Sequence, residues 1–185
     1  MASSISYSTL YPNTHIKGFE EVMNNLNAEL SKIKGGTRKG LIMAMAFIRN
    51  DTEKSLPLTP VDIGNLRASW FAATAAGKVA DDTWNRGFRN MAGKGIKNRS
   101  RADASRMSAD HIATIAEAQA MCAAELEKGI EQSMMGYSAN YAVYIHENFA
   151  AKFKRPGAGP KWFEASVNRN RDKIVQILRD NAQIK

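Results

Sequence analysis

The chain has 185 residues, 44% of them apolar, and a formal charge of +8. This length fits one domain with an arm or an insertion, and the apolar content excludes a wholly disordered chain. The single cysteine, Cys122, excludes an internal disulfide, and the longest apolar run, Leu41 to Ile48, is too short to span a bilayer. No basic residue precedes an apolar stretch in Met1 to Leu10, so no secretory signal is expected. The reading is of a protein made in a reducing cytoplasm, with no membrane contact. A pI of about 9.7 favours polyanions or acidic protein surfaces as partners.

Residues 1–17 are rich in Ser, Thr, Tyr and Asn without helical period, and read as an extended N-terminal arm. The remainder, 18–185, reads as a single domain. Phe19, Val22, Met23, Leu26, Leu30 and Ile33 fall at helical spacing and leave Glu20, Glu21, Asn25 and Lys32 for water. Gly35 and Gly36 are expected to end that helix, and Thr37 to cap a second one running to about Leu56. Its run LIMAMAFI is apolar nearly all round, which predicts a helix sandwiched between layers. Pro57 and Pro60 stop it.

Thr59 to Gly64 reads as a turn, with Asp62 and Gly64 as its punctuation and a positive φ at the glycine. Leu66, Ala68, Trp70, Ala72 and Thr74 then alternate with Arg67, Ser69, Phe71 and Ala73, a period of two that predicts a strand. Arg67, on the opposite strand face, is placed to pair with an acid of this subunit or the next. Gly77 to Asp82 reads as a turn. From Trp84 to Arg106 the bases Arg86, Arg89, Lys94, Lys97, Arg99, Arg101 and Arg106 face one acid, Asp103, among three glycines, which predicts a basic loop. Ser108 caps a helix carrying Ile112, Ile115, Cys122 and Leu126 that ends at Gly129. Residues 130–138 suit a second strand, and Tyr141 to Glu147 suits either a short helix or a strand. Phe149 to Gly159 is a basic loop. Pro160 opens a final helix with Phe163, Val167, Ile174, Ile177 and Leu178 on one face. Phe19, Leu26, Ile48, Leu66, Trp70, Phe163 and Ile174 are expected to form one core cluster.

The fold class that follows is α+β: N-terminal helices and a long C-terminal helix packed on a small antiparallel sheet, with a basic loop-plus-helix insertion at about 77–129. Catalytic patterns are missing. There is no G-x-S-x-G elbow, and Cys122 sits among small residues of a helix, which reads as a buried structural thiol. His15, His111 and His146 form no metal-binding unit. Gly87 to Gly95 has the wrong spacing for a phosphate loop, and Gly95 stands where a magnesium-binding hydroxyl is needed. His146-Glu147 is the only dyad of catalytic appearance, and neighbours in sequence do not point at one substrate atom. The expectation is a non-enzyme with no catalytic residues, metal or cofactor.

Two segments carry a resemblance. The first is Thr59-Pro60-Val61-Asp62-Ile63-Gly64-Asn65-Leu66-Arg67-Ala68-Ser69-Trp70. The second is Tyr141-Ala142-Val143-Tyr144-Ile145-His146-Glu147-Asn148, followed by Lys161-Trp162-Phe163-Glu164. Together, and in this order, they resemble a family of small tailed-bacteriophage proteins of the neck, minor capsid or tail-completion region. Pro60, Asp62, Gly64, Leu66, Arg67, Tyr141, Ala142 and Glu147 match its pattern, and Ile63 stands where the family usually has Thr. The stretch 77–129 is longer than the family pattern. The resemblance implies a structural virion protein, a homo-oligomeric ring of about six copies, otherwise about twelve, at the head–tail joint. Adjoining head-completion and tail proteins would be its partners, with packaged DNA in the channel. Arg86, Arg89, Lys94, Lys97, Arg99 and Arg101 are the candidate contacts to DNA or to an adjoining ring. The alternative is a basic nucleic-acid-binding protein that uses the 84–106 loop directly. A third reading is a small hydrolase built on His146 and Glu147.

Overall fold

The computed structural model describes residues 19–61, 64–78 and 101–182. The architecture is α+β. Among the described residues the first element is a single helix, α1 (Phe19–Lys54, 36 residues). It runs straight through Gly35 and Gly36, where the sequence pointed to a break. The reason is a close approach. A Cβ on Gly36 would stand 2.2 Å from the Asn181 carbonyl oxygen, and one on Gly40 would stand 3.2 Å from the Asn181 Cβ. These glycines, one turn apart, let the last helix lie directly on α1, and that packing offsets their helix cost of about 1 kcal/mol each. Thr37 is therefore not a cap; its hydroxyl donates to the Ile33 carbonyl within the helix at 2.9 Å. In the apolar run Ala44, Met45 and Ile48 are buried while Met43 and Ala46 remain exposed, so the cover is two-sided rather than complete.

Leu66 does not belong to a strand. Gly64 takes a left-handed φ of 94° and starts one helical turn, α2 (Asn65–Ala68). Ala68 N–H donates to the Gly64 carbonyl and Ser69 N–H to that of Asn65, at 2.8 and 2.9 Å, which closes the turn. The strand β1 begins later (Trp70–Thr74) and pairs back at once with β2 (Gly77–Lys78), across a turn at Ala75 and Ala76. Helix α3 (Arg101–Glu127) starts well before Ser108 and ends just before Gly129, whose φ of 84° and whose N–H bond to the Leu126 carbonyl stop it. Strand β3 (Ser133–Tyr137) pairs antiparallel with β1 from Trp70↔Tyr137 to Thr74↔Ser133. The sheet order is β2-β1-β3. Tyr141 to Glu147 resolves as a helix, α4 (Ala142–Glu147). The closing helical segment is divided at Asn170 into α5 (Trp162–Arg169) and α6 (Arg171–Ala182).

Both faces of β1 are covered, which is why its burial does not alternate. Phe71 and Ala73 pack on Ile115 and Ala118 of α3, with Met134 beside them. Cys122 is fully buried on the same side, as expected of a structural thiol, and burial pushes the thiol pKa up. A second cluster holds Leu66, Ala142 and Trp162, with Tyr137, Tyr141, Ile145 and Phe163 against it. The expected single core is thus two clusters, and Leu26 stands outside both, 50% exposed. Trp70 is only half-buried; the Arg49 guanidinium lies 5.4 Å from its ring centroid and 5.9 Å from that of Tyr137. Among the described residues no helix is long and apolar enough to cross a membrane.

Candidate functional site

The two resembling segments lie far apart in sequence and meet around the end of α1. Glu53, in its last turn, is the point of convergence. Arg67 Nε is 2.9 Å from Glu53 Oε2, Arg155 Nη1 is 3.0 Å from the same oxygen, and Arg49 Nη1 is 2.9 Å from Oε1. The Glu53 side chain is only 14% exposed. Three guanidinium groups from the helix, the first segment and the 149–159 loop thus share one carboxylate; Arg49 and Arg155 are largely shielded from water and Arg67 is half exposed. The arginines also bind backbone. Arg155 donates to the carbonyls of Thr59 and Glu53 at 2.8 and 3.0 Å, and Arg49 to that of Arg67 at 3.1 Å. Thr59, fully buried, donates its hydroxyl to the Thr52 carbonyl at 3.1 Å. The first segment is therefore held by its main chain, which fixes where Pro60 to Leu66 can go.

Beside this network is an open cleft of about 310 Å³, lined by Pro60, Gly64, Asn65 and Leu66 of the first segment, Tyr141 and Ile145 of the second, and Lys152 to Lys154. Asn65 Nδ2 donates to the Tyr141 hydroxyl at 2.9 Å across it. Leu66 and Ala142 pack on the buried Trp162 behind it. Its lining mixes apolar side chains with Asn65, the Tyr141 hydroxyl and the exposed Lys152 and Lys154.

Glu147 belongs to a separate surface cluster. It receives His146 Nδ1 at 2.7 Å and Lys161 Nζ at 2.6 Å, and Lys161 also reaches Glu164 at 2.8 Å. Lys161 holds the Glu147 carboxyl below its usual range, with His146 adding to the effect, and the Lys161 ammonium is raised in turn by Glu147 and Glu164. His146 and Glu147 touch each other, and the imidazole also packs edge-on against Trp162, ring centroids 4.8 Å apart. Neither residue lines the cleft. Among the described residues no group of three His, Cys, Asp or Glu side chains is placed to hold a metal ion.

Pro60, Gly64 and Leu66 line the cleft, Tyr141 bridges it, Ala142 packs behind it and Arg67 pairs with Glu53. Glu147 lies apart on α4. Asp62, Arg86, Arg89, Lys94, Lys97 and Arg99 lie outside the described residues, as do the arm 1–17 and most of the 84–106 stretch. Arg101, expected in a loop, opens α3 instead. Sequence reasoning missed Glu53, Arg49 and Arg155, and also Asp51. Burial pushes the Asp51 carboxyl up, and hydrogen bonds from Ser166, Ser55 and Arg169 more than reverse this, leaving it below its usual range. The one available signal was an acid near a helix C-terminus, at Asp51 and Glu53, where the dipole disfavours it without a cationic partner. No family model matches the chain, and no similar curated protein or solved structure was found.

Proposed function

We propose that the chain is a non-enzymatic structural subunit of a tailed phage, ring-forming, in the neck or tail-completion region of the virion. The observation that supports this reading is the convergence of the two resembling segments. Asn65 and Leu66 of one meet Tyr141 and Ala142 of the other, and Arg67 is locked onto Glu53. These side chains are engaged with one another, as in a scaffold that shapes a surface, instead of being aimed at a common reacting atom. The cleft they border, part apolar and part polar with Lys152 and Lys154 exposed along it, suits a segment of the adjoining subunit in a head-to-tail ring. Residues Arg86, Arg89, Lys94, Lys97, Arg99 and Arg101 would face DNA or an acidic surface of an adjoining ring.

The test is electron microscopy of the purified chain and immunogold labelling of intact particles. Closed rings, and label at the head–tail joint, are expected. A monomer or dimer that binds DNA with steep salt dependence and carries no label at that joint would favour the nucleic-acid reading, which the charge of +8 also supports.

A further inference from the structure

The first half of α1 has no cover among the described residues. Every residue from Asn24 to Gly35 is exposed. Val22, Leu26, Leu30 and Ile33 are nevertheless apolar, each with between 44% and 62% of its surface in water. Phe19, Met23, Leu26, Leu30 and Ile33 follow alternating steps of four and three residues, the heptad seam of paired helices. Continued by the same steps, the seam reaches Thr37 and Gly40, and there it is occupied: α6 runs antiparallel to α1, with Asn181 over Gly36 and Leu178 over Gly40. The last described residue of α6 is Ala182, and α1 extends about 25 Å beyond that point.

We propose that this uncovered half of α1 pairs antiparallel with the same half of a second copy of the chain. Three observations select that occupant. Helix α6 blocks a parallel partner, which would have to continue past Gly36 along the seam that α6 fills. An antiparallel partner runs the other way and brings its first turn to the C-terminal end of α6, so the two helix dipoles meet head to tail. Charge agrees: the half-helix has Glu20 and Glu21 at its start and Lys32 and Lys34 at its end. Antiparallel packing sets acid against base, and parallel packing sets like against like. Two helices in contact over about 25 Å bury on the order of 1,000 Å² together, the lower edge of a specific interface, so micromolar association is expected. The contact is isologous and joins two subunits whatever larger assembly they enter. It stands apart from the phage reading.

Sedimentation velocity of the full chain over about 1 to 200 μM, a range bracketing the micromolar expectation, reads this directly. The wild type is expected to dimerise, and Leu26→Glu/Leu30→Glu, at two exposed positions, to weaken dimerisation at least about tenfold with an unchanged thermal melt. Orientation is read by oxidising a mixture of Val22→Cys and Ile33→Cys chains; Cys122 is buried and does not compete. Mixed dimers well above either self-dimer are expected. A monomeric wild type, or a double variant that associates as the wild type does, overturns the pairing. Efficient self-crosslinking of Val22→Cys alone overturns its direction. Rings that still form in a double variant that has lost dimerisation would uphold both readings, as two separate contacts.

Discussion

Asn65 and Tyr141 stand 76 positions apart and are joined directly, Nδ2 of Asn65 donating to the Tyr141 hydroxyl at 2.9 Å. Asn65 is 6% exposed, at the edge of the cleft, so water is a poor substitute for a lost partner. Tyr141→Phe keeps the ring and removes the acceptor. It is expected to cost about 1–3 kcal/mol in urea unfolding, the penalty for a stranded buried amide. Asn65→Ala/Tyr141→Phe should cost less than the two single changes summed, which a double-mutant cycle measures.

Gly64 is a conformational requirement without a steric one. Its φ is 94°, and a Cβ there would meet nothing within 4 Å. Gly64→Val is expected to destabilise by about 1–3 kcal/mol, and Gly64→Asn by distinctly less, because Asn tolerates the left-handed region. Melting temperatures of the two variants check the order.

Glu53 carries three arginines on a carboxylate that is 14% exposed. Glu53→Gln keeps the shape and leaves Arg49, Arg67 and Arg155 without their counter-charge. A loss of about 3–5 kcal/mol is expected, as for other broken buried pairs. Arg67→Ala, whose side chain is 52% exposed, is expected to cost under about 1 kcal/mol. Denaturant unfolding of both variants separates the hub from its exposed spoke.

His111 is fully buried, with Nδ1 2.8 Å from the Ser138 hydroxyl. Burial lowers its pKa from 6.5 to about 4. Between those values the unfolded chain takes up a proton that the folded chain refuses, so acid favours unfolding. The full contribution is present above about pH 6.5 and declines as pH falls toward 4, by up to about 3 kcal/mol. Stability measured from pH 7 to 4.5 should show this slope in the wild type and lose it in His111→Gln.

Gly35 and Gly36 are neighbours with opposite requirements. At Gly35 a Cβ meets nothing within 4 Å; at Gly36 it would stand 2.2 Å from the Asn181 carbonyl oxygen. Gly35→Ala is expected to stabilise by about 0.5–1 kcal/mol through helix propensity. Gly36→Ala must push α6 away and is expected to destabilise by about 1–3 kcal/mol. Thermal melts of the two variants should move in opposite directions.

That pair also marks the limit of what the sequence made legible. Gly-Gly reads as a helix stop because the local chain is all that a sequence displays, and the helix that needs the space, α6, lies some 140 positions away. The alternation from Leu66 to Thr74 was read as one strand. Its first part is a helical turn because Gly64 is already left-handed and supplies the carbonyl that Ala68 binds. The positive φ itself was legible, since the P-V-D-x-G spacing calls for it. The end of α3 at Gly129 and the strand before Tyr137 were legible for similar local reasons. The pairing of Arg67 with an acid was foreseen, but not which acid, because three elements select Glu53 together. Position along a chain says little about such a convergence.

A helix as long as α1 transmits angle as well as length. The half that packs on α6 fixes the compass bearing of Val22, Leu26, Leu30 and Ile33, because no joint separates them. One residue added between Ile33 and Gly36 would swing that row by about 100° around the axis, while seven would return it to within about 20°. Changes of length in this segment therefore act as changes of phase. A lineage could lengthen the shaft by whole heptads and keep its aim, and any other increment would point the row at a different neighbour.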